Sequence, residues 1–220
     1  IGGLTFLPDG QLAACFHRGE VYTYNLKTRE WKLFADGLHE PLGIVAENNK
    51  TLVVMQRPEL TRLRDTDGDG DADHYQTISD EFGMTGNYHE FCFGPARDKD
   101  GNYYVGLNLA SSGASIRPEI RGEFRHYGIS REQFYRNHKA GSGRMYSATP
   151  YRGWIMKISP SGKTTPFASG FRSPNGINFD QRGRLWATDN QGDWLGTSKL
   201  FHVKEGGFYG HPASLVWTEE

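Results

Sequence analysis

Residues 3–14 have the sequence GLTFLPDGQLAA, in which a Pro-Asp-Gly turn joins two apolar runs, and three further segments likewise join two apolar runs by a turn that contains Gly or Asn. Asp-Gly between apolar runs is a strong signal for a tight β-hairpin. The other copies centre on residues 48–50, 99–101 and 181–183. A second strand pair follows the hairpin, as in residues 19–24 with 30–34. Each unit therefore predicts four short antiparallel strands.

Four strands per unit, repeated every ~40–50 residues, are typical of the blades of a β-propeller. The composition agrees, because 28 glycines and 13% aromatic residues suit many short strands and tight turns. A β-sandwich is the alternative, but it would need four matching turns by coincidence. We therefore predict an all-β fold, a β-propeller with about four visible blades in one domain over residues 1–220.

The third unit is stretched by an insertion at about residues 111–150. Ser130 with Gln133 predicts a capped short helix that ends near Gly141. The insertion could line a site and meet an anionic cofactor or substrate, or it could be a solvated loop that packs on a neighbouring domain. The insertion carries more basic than acidic residues. The seven basic residues are Arg117, Arg121, Arg125, Arg131, Arg136, Lys139 and Arg144, and the three acidic residues are Glu119, Glu123 and Glu132.

An acidic loop predicts a metal site. Its five aspartates alternate with small residues: Asp65, Asp67, Asp69, Asp71 and Asp73. Calcium takes six to eight oxygen ligands, and Asp71 would offer its carbonyl where Gly70 makes the sharp turn. Gln76 stands where an EF-hand has a bidentate glutamate, and strand-like runs flank the loop. We expect a structural calcium clip on a β scaffold; the alternative is a solvated acidic turn.

Composition limits the partners. The formal net charge is −1, so no overall field would attract nucleic acid or an anionic membrane. No apolar run approaches the ~20 residues of a membrane span.

Cys15 and Cys92 lie in apolar runs and are expected to be free and buried. The chain begins at Ile1 within a strand-like run, which suggests a mature product or a fragment. An all-carboxylate calcium loop favours a periplasmic or extracellular location.

Four motifs, in this order and with blade-like spacing, resemble those of the soluble glucose/sorbosone dehydrogenases. They are GNYHEFCFGP at residues 86–95, GFRSPNG at 170–176, DNQGD at 189–193 and GFYGHP at 207–212. The likeness is greatest to the sorbosone-dehydrogenase-like branch, which carries an Asp-rich calcium loop. The resemblance implies a six-bladed propeller that oxidises aldose-type sugars with pyrroloquinoline quinone (PQQ) and calcium. Four blades would then be an incomplete propeller.

The resemblance also implies roles for single residues. His89 corresponds to the catalytic base, and Arg172 to a catalytic arginine that contacts the quinone. Asn175 would help to bind the cofactor, although Ser173 stands where the family has asparagine directly after the arginine. Gln191 and Gly192 correspond to the turn that holds the cofactor's calcium. A cytochrome would be a suitable electron acceptor and would lie elsewhere, because these residues contain no Cys-x-x-Cys-His haem motif.

Two other functions stay open. Residues 174–177 and 185–189 also resemble the propeller lactonases of the gluconolactonase type, in which an Asn such as Asn175 ligates a catalytic metal. Those enzymes have a glutamate in the first strand, and residues 3–6 contain none. The third hypothesis is a non-enzymatic binding module of a larger secreted protein, because propellers often serve as binding platforms.

Overall fold

The computed structural model describes residues 1–111, 118–126, 128, 130–137, 144–193 and 195–218. Blade 1 contains β1 (Gly3–Phe6), β2 (Leu12–Cys15), β3 (Val21–Asn25) and β4 (Glu30–Ala35). Blade 2 contains β5 (Ile44–Asn48), β6 (Thr51–Met55), β7 (Leu60–Arg64) and β8 (His74–Ser79). The short strand β9 (Met84–Thr85) follows.

Blade 3 begins with β10 (Cys92–Arg97) and β11 (Tyr103–Leu107). The insertion then supplies β12 (Ala110–Ser111), β13 (Glu119–Arg121), α1 (Arg131–Asn137) and β14 (Met145–Tyr146). Blade 3 ends with β15 (Trp154–Ile158) and β16 (Thr164–Ser169). Blade 4 contains β17 (Gly176–Phe179), β18 (Leu185–Asp189) and β19 (Lys199–Val203). A 3-10 helix spans Pro212–Trp217.

The strands of each blade pair antiparallel with their neighbours in chain order, apart from the insertion between β11 and β15. Phe6 pairs with Leu12 and Phe179 with Leu185, so the first and the last of the predicted hairpins close where the turn residues indicated. The fold is therefore the predicted β-propeller with four visible blades, three of four strands and one of three.

The apolar core lies between successive blades. Leu52 and Val54 of β6 pack against blade 1, whereas Val53, between them, packs against blade 3. Likewise Tyr103 joins the core toward blade 2, and Tyr104 joins the core toward blade 4. Because successive side chains of a strand point to opposite faces, a blade between two others must be apolar on both. This explains why β6 and β11 read as unbroken apolar runs.

The first strand of each blade lies innermost, around a central cavity of about 310 Å³. Backbones approach closely there: a Cβ on Gly43 would lie 1.7 Å from the carbonyl oxygen of Gly94, and one on Gly3 would lie 2.7 Å from the Cα of Gly43. No side chain fits in such gaps, so glycine is required at these contacts between inner strands.

Strand order defines two faces of the propeller. The upper face carries the loops that precede each inner strand and the loops that join the second strand of a blade to the third. His89, Arg172 and Gln191 all lie in such loops, together with the insertion. The acidic loop joins β7 to β8 and therefore lies on the lower face. The topology thus separates the predicted catalytic residues from the predicted calcium clip.

The two ends of the insertion pair with each other as β12 and β14, and the pairing of β13 with β9 ties the insertion to the segment between blades 2 and 3. The predicted helix cap is confirmed: Gln133 N donates to Ser130 Oγ at 3.2 Å, and Ser130 N donates to Gln133 Oε1 at 3.0 Å. The helix is described as far as Asn137, while Gly141, Arg117 and Lys139 lie outside the described residues. Within the described residues, no helix is long and apolar enough to cross a membrane.

Candidate functional site

His89 lies directly before blade 3, in a loop where two asparagine side chains bind its backbone. Its N–H donates to Asn87 Oδ1 at 3.0 Å, and its carbonyl accepts from Asn108 Nδ2 at 3.0 Å. Asn87 in turn donates through Nδ2 to the carbonyl of Ser111, at the start of the insertion, at 2.9 Å. The position of the imidazole is therefore set jointly by blade 3 and the insertion.

The ring of His89 is half-buried, and its Nδ1 lies 3.2 Å from the carbonyl oxygen of Leu109. A carbonyl oxygen only accepts hydrogen bonds, so Nδ1 carries the proton and Nε2 of the neutral ring keeps its lone pair. Burial lowers the pKa of His89 below its ordinary value of 6.5, and the charges of Arg172 and Arg57 lower this pKa further. The hydrogen bond to Leu109 opposes these effects. Near neutral pH the ring is a neutral base.

Arg57 of blade 2 anchors the loop that carries His89. Its Nε lies 2.6 Å from Glu40 Oε2, its Nη1 donates to the carbonyl of Asn87 at 2.8 Å, and its Nη2 donates to the carbonyl of Tyr88. The guanidinium also lies over the ring of Phe91, 5.0 Å from the centroid. Sequence reasoning missed Arg57, because residues 57 and 89 come together only through the packing of blade 2 on blade 3.

Arg172 lies at the entry to blade 4, and the buried carboxylate of Asp189 fixes its backbone. Asp189 accepts from the N–H of Arg172 at 3.2 Å and from the N–H of Ser173 at 2.7 Å. The guanidinium has two donors without an acceptor among the described residues. Its Nε and Nη1 are buried, and no described residue accepts a hydrogen bond from either. Buried N–H donors are normally paired, so these two atoms indicate a place for an acceptor that the described residues do not supply.

The remaining predicted cofactor residues spread along the same face. Asn175 is exposed at the mouth of the central cavity, and its Oδ1 accepts from Thr188 Oγ1 at 3.2 Å. Gln191 is exposed, and Gly192 closes its turn by donating to the carbonyl of Leu195 at 2.9 Å. His89 and Arg172 are near enough for the arginine charge to lower the histidine pKa, whereas the side chain of Asn175 contacts Thr188.

These residues fit a quinone cofactor in part. The two unpaired N–H groups of Arg172 suit a carboxylate or a quinone oxygen. Of the acids that flank Gln191 and Gly192, Asp189 is buried and binds backbone amides, whereas Asp193 is exposed and its Oδ2 accepts from Met145 N at 2.6 Å. Backbone carbonyls of this turn and the exposed carboxylate of Asp193 are therefore the oxygens that suit calcium here.

The acidic loop brings three of its five aspartates together. Oxygens of Asp65, Asp67 and Asp73 lie within 4.8 Å of one another. Asp71 instead lies 3.1 Å from Lys32 Nζ, on the outer strand of blade 1. Asp65 is buried and accepts from the N–H of Gly68 at 2.5 Å and from that of Gly70 at 3.1 Å. The backbone of the loop therefore folds around the Asp65 carboxylate, and the loop, which belongs to blade 2, also contacts blade 1.

Both cysteines, Cys15 and Cys92, are free and buried, as predicted. Cys92 contributes to a polar cluster beneath the candidate site. Arg152 is fully buried there, and its Nη1 donates to the carbonyl of Glu90 at 3.2 Å and contacts Cys92 Sγ at 3.4 Å. Glu90 accepts from Thr85 N at 2.6 Å. This cluster joins the segment that enters β15 to the strand that follows His89.

Solved structures share the fold. The PQQ-bound form of an aldose sugar dehydrogenase from Streptomyces coelicolor gives a TM-score of 0.63 at 17% identity, covering 96% of this chain and 61% of that one. The PQQ domain of a pyranose dehydrogenase from Coprinopsis cinerea gives 0.59 at 13% identity, covering 91% and 47%. A protein designated a candidate gluconolactonase gives 0.54 at 16% identity, covering 93% and 66%.

At these identities the likeness establishes a shared β-propeller fold. The chain spans 61% of the length of the aldose sugar dehydrogenase that it matches. No curated protein sequence matches this chain significantly.

A protein family described as a domain of unknown function (DUF7133) matches residues 27–194. The match covers more than half of the chain and includes the acidic loop, His89 and Arg172. The chain therefore belongs to the DUF7133 family.

Proposed function

We propose that this chain is part of a quinoprotein-type oxidoreductase that oxidises an aldose or related alcohol with PQQ and calcium, with His89 as the general base. The observation that carries the proposal is the pairing of two groups on the upper face. One is a neutral imidazole whose Nε2 keeps its lone pair. The other is a neighbouring guanidinium with two buried, unpaired N–H groups among the described residues.

His89 would take the proton of the sugar's C1 hydroxyl onto Nε2. Oxidation of this carbon removes a hydroxyl proton and a hydride, and a base whose pKa lies near or below the working pH takes the proton efficiently. PQQ, when bound, would accept the hydride. Arg172 would hold the cofactor through Nε and Nη1, since a guanidinium pairs well with carboxylate and quinone oxygens. Tyr88 and Phe91 flank the imidazole, with ring centroids 5.5 and 6.0 Å away, and would limit its contact with water.

Calcium enters the proposal twice. The carbonyls of Gln191 and Gly192 would hold the cofactor's ion on the upper face. A second ion would bind Asp65, Asp67 and Asp73 on the lower face, where oxygens of the three carboxylates lie within 4.8 Å of one another. A purely carboxylate loop fills most readily where calcium is abundant, which supports a periplasmic or extracellular location. A cytochrome domain outside these residues would serve as electron acceptor.

We also infer that further blades complete the propeller. Blade 1 has an outer flank of large apolar residues, where Trp31 is 50% exposed, Leu33 is 40% exposed and Phe6 is 67% exposed. In a closed propeller a neighbouring blade covers such a flank, because each blade packs on two others. The missing blades would supply the basic residues that clamp the cofactor's other carboxylates.

The lactonase alternative has less support. Asn175 is occupied with Thr188 at an exposed position. Among the described residues, the group of three His, Cys, Asp or Glu side chains close enough to share a metal is Asp65, Asp67 and Asp73, on the opposite face. If no cofactor binds, we would conclude that the chain is a non-enzymatic binding module.

The test is aldose-dependent dye reduction by the full-length protein after loading with PQQ and calcium. His89→Gln should lower kcat at least ~100-fold, since a positioned general base contributes typically 10²–10⁴-fold. His74→Gln is the matched control, because His74 is exposed on outer strand β8 of blade 2. Equal activity in the two variants would remove His89 from the mechanism, and a complete lack of activity in the loaded wild-type protein would refute the proposal.

A further inference from the structure

A second, smaller pocket lies beside the candidate site, between the β18–β19 loop and the segment that follows β19. Its volume is about 140 Å³. This space holds several waters or one small molecule of a few heavy atoms. The lining residues are Gly192, Leu195, Lys199, Tyr209, Gly210 and His211. None of the roles described above uses Lys199 or His211.

His211 is 8% exposed and presents an unpaired donor. Its Nδ1 accepts from the N–H of Ala213 at 3.3 Å, so Nδ1 holds the lone pair and Nε2 carries the proton. No described residue accepts a hydrogen bond from that Nε2–H. Leaving a buried donor unpaired is unfavourable. The histidine therefore favours a ligand atom that accepts.

Lys199 is the charged partner in the pocket. Its side chain is 17% exposed, and its Nζ lies 3.7 Å from Asp189 Oδ2, too far for a good hydrogen bond. Asp189 is satisfied elsewhere, because it accepts the amides of Arg172 and Ser173. The ammonium thus retains N–H donors for a second acceptor. Its charge is only partly neutralised at this distance.

The other walls of the pocket are poor in donors and acceptors. Tyr209 lines it with its ring, while its hydroxyl is engaged with the carbonyl of His202 at 3.0 Å and with the N–H of Lys204 at 2.7 Å. Leu195 adds an apolar wall. Two side-chain donors, one of them cationic, in a small and otherwise apolar pocket select a compact anion with oxygen acceptors and a short apolar part.

We propose that this pocket binds a small monocarboxylate, whose oxygens accept from His211 Nε2–H and Lys199 Nζ and whose short alkyl part packs against Leu195 and Tyr209. This site does not require bound PQQ, but it adjoins the proposed quinone site, because Gly192 lines the pocket and would also hold the cofactor's calcium. The two share Asp189, which contacts Lys199 on one side and the Arg172 backbone on the other.

The test is an NMR titration of the full-length protein with acetate, at constant ionic strength set by chloride, following the histidine ring ¹⁵N–¹H signals. Acetate should shift the His211 Nε2 signal saturably, and chloride alone should not. Lys199→Met should weaken acetate binding at least tenfold. Lys204→Met is the matched control, because Lys204 is exposed in the turn after β19, and it should bind as the wild type does.

Leu195→Trp keeps both donors and fills the pocket, so it should abolish the acetate shift. Its melting temperature in buffer without acetate, compared with that of the wild-type protein, reports whether the variant is folded. The proposal is overturned if acetate gives no saturable shift of His211, if Lys199→Met binds as tightly as Lys204→Met, or if folded Leu195→Trp still binds.

Discussion

A single hydrogen bond sets what His89 is able to do. Because Nδ1 faces the carbonyl oxygen of Leu109, the proton stays on Nδ1 and the lone pair stays on Nε2. The opposite tautomer would present an N–H to a substrate hydroxyl and could not accept its proton. Burial adds to the effect, since desolvation disfavours the imidazolium ion.

The titration of His89 should therefore begin on the acid side of the ordinary range. Burial lowers the pKa of His89 most, the hydrogen bond to Leu109 opposes it, and the charges of Arg172 and Arg57 lower the pKa further, so the ring should be neutral at pH 7 and gain its proton only as the pH falls below 6.5. Histidine NMR against pH measures this midpoint. Arg172→Met removes a nearby positive charge and should raise the midpoint.

The comparison for that variant is Arg182→Met, since Arg182 is exposed in the turn between β17 and β18. It should leave the His89 midpoint where the wild-type protein has it. A wild-type midpoint above 6.5 would contradict the proposed environment of the ring.

Arg57 should matter for stability as well as for the position of His89. The guanidinium is 9% exposed, and it binds Glu40 together with two backbone carbonyls of the His89 loop. Arg57→Met leaves these acceptors unpaired, so we expect about 3 kcal/mol of destabilisation, at the lower end of the range for a broken buried pair because Glu40 is partly exposed. Denaturant unfolding measures this loss. Arg64→Met on β7 is the control, and equal losses in the two variants would show that the Arg57 contacts contribute little.

At the scale of elements, the acidic loop links two blades. Ala72 N donates to the carbonyl of Phe34 at 2.6 Å, and Lys32 contacts Asp71 and the carbonyl of Asp69. Phe34 and Lys32 belong to the outer strand of blade 1, whereas the loop belongs to blade 2. An ion held by Asp65, Asp67 and Asp73 would hold this junction in its folded shape.

Removing calcium should accordingly lower the melting temperature. At calcium a hundred times above Kd, binding stabilises the folded state by about 2.7 kcal/mol. For a domain of this size, that corresponds to roughly 5–11 °C. Asp65→Asn should abolish the difference between calcium and chelator, while Asp100→Asn, in the exposed turn of blade 3, should preserve it. A wild-type melting temperature that a chelator leaves unchanged would refute the clip.

The inner strands should tolerate no side chain at Gly43. A Cβ there would meet the carbonyl oxygen of Gly94 at 1.7 Å, and backbone cannot yield as a flexible side chain can. Gly43→Ala should cost about 1–3 kcal/mol, the usual range for overpacking. Gly196→Ala is the matched control, because its Cβ would meet nothing within 4 Å. Equal melting temperatures for the two variants would contradict the close packing of the inner strands.

The hairpins were predictable from sequence because each depends on neighbouring residues. Asp9-Gly10 between apolar runs specifies a local turn, and the strands that it joins form as expected. The candidate site was predictable only as a set of single residues. The link from Arg57 to the His89 loop, and that from Lys32 to Asp71, join different blades, and no local pattern reports such contacts. The unpaired donors of Arg172 and His211 are likewise visible only once burial is known.

At the scale of the whole molecule, the propeller keeps two kinds of chemistry apart. Loops that precede the inner strands bring His89 and Arg172 to the upper face, whereas the Asp-rich loop lies between outer strands on the lower face. The insertion lies on the upper face and contacts the His89 loop through Ser111 and Asn87. This arrangement favours a catalytic upper face, with the calcium loop contributing stability.

The binding of PQQ itself tests the account most directly. Equilibrium titration of the full-length, calcium-loaded protein with PQQ should show saturable binding at one site. Arg172→Gln should weaken that binding roughly 10–150-fold, because hydrogen bonds to charged groups contribute about 1.5–3 kcal/mol. Arg182→Gln should leave it unchanged. Absence of saturable PQQ binding to the wild-type protein at any calcium concentration, or equal affinity of the two arginine variants, would contradict the proposed quinone site.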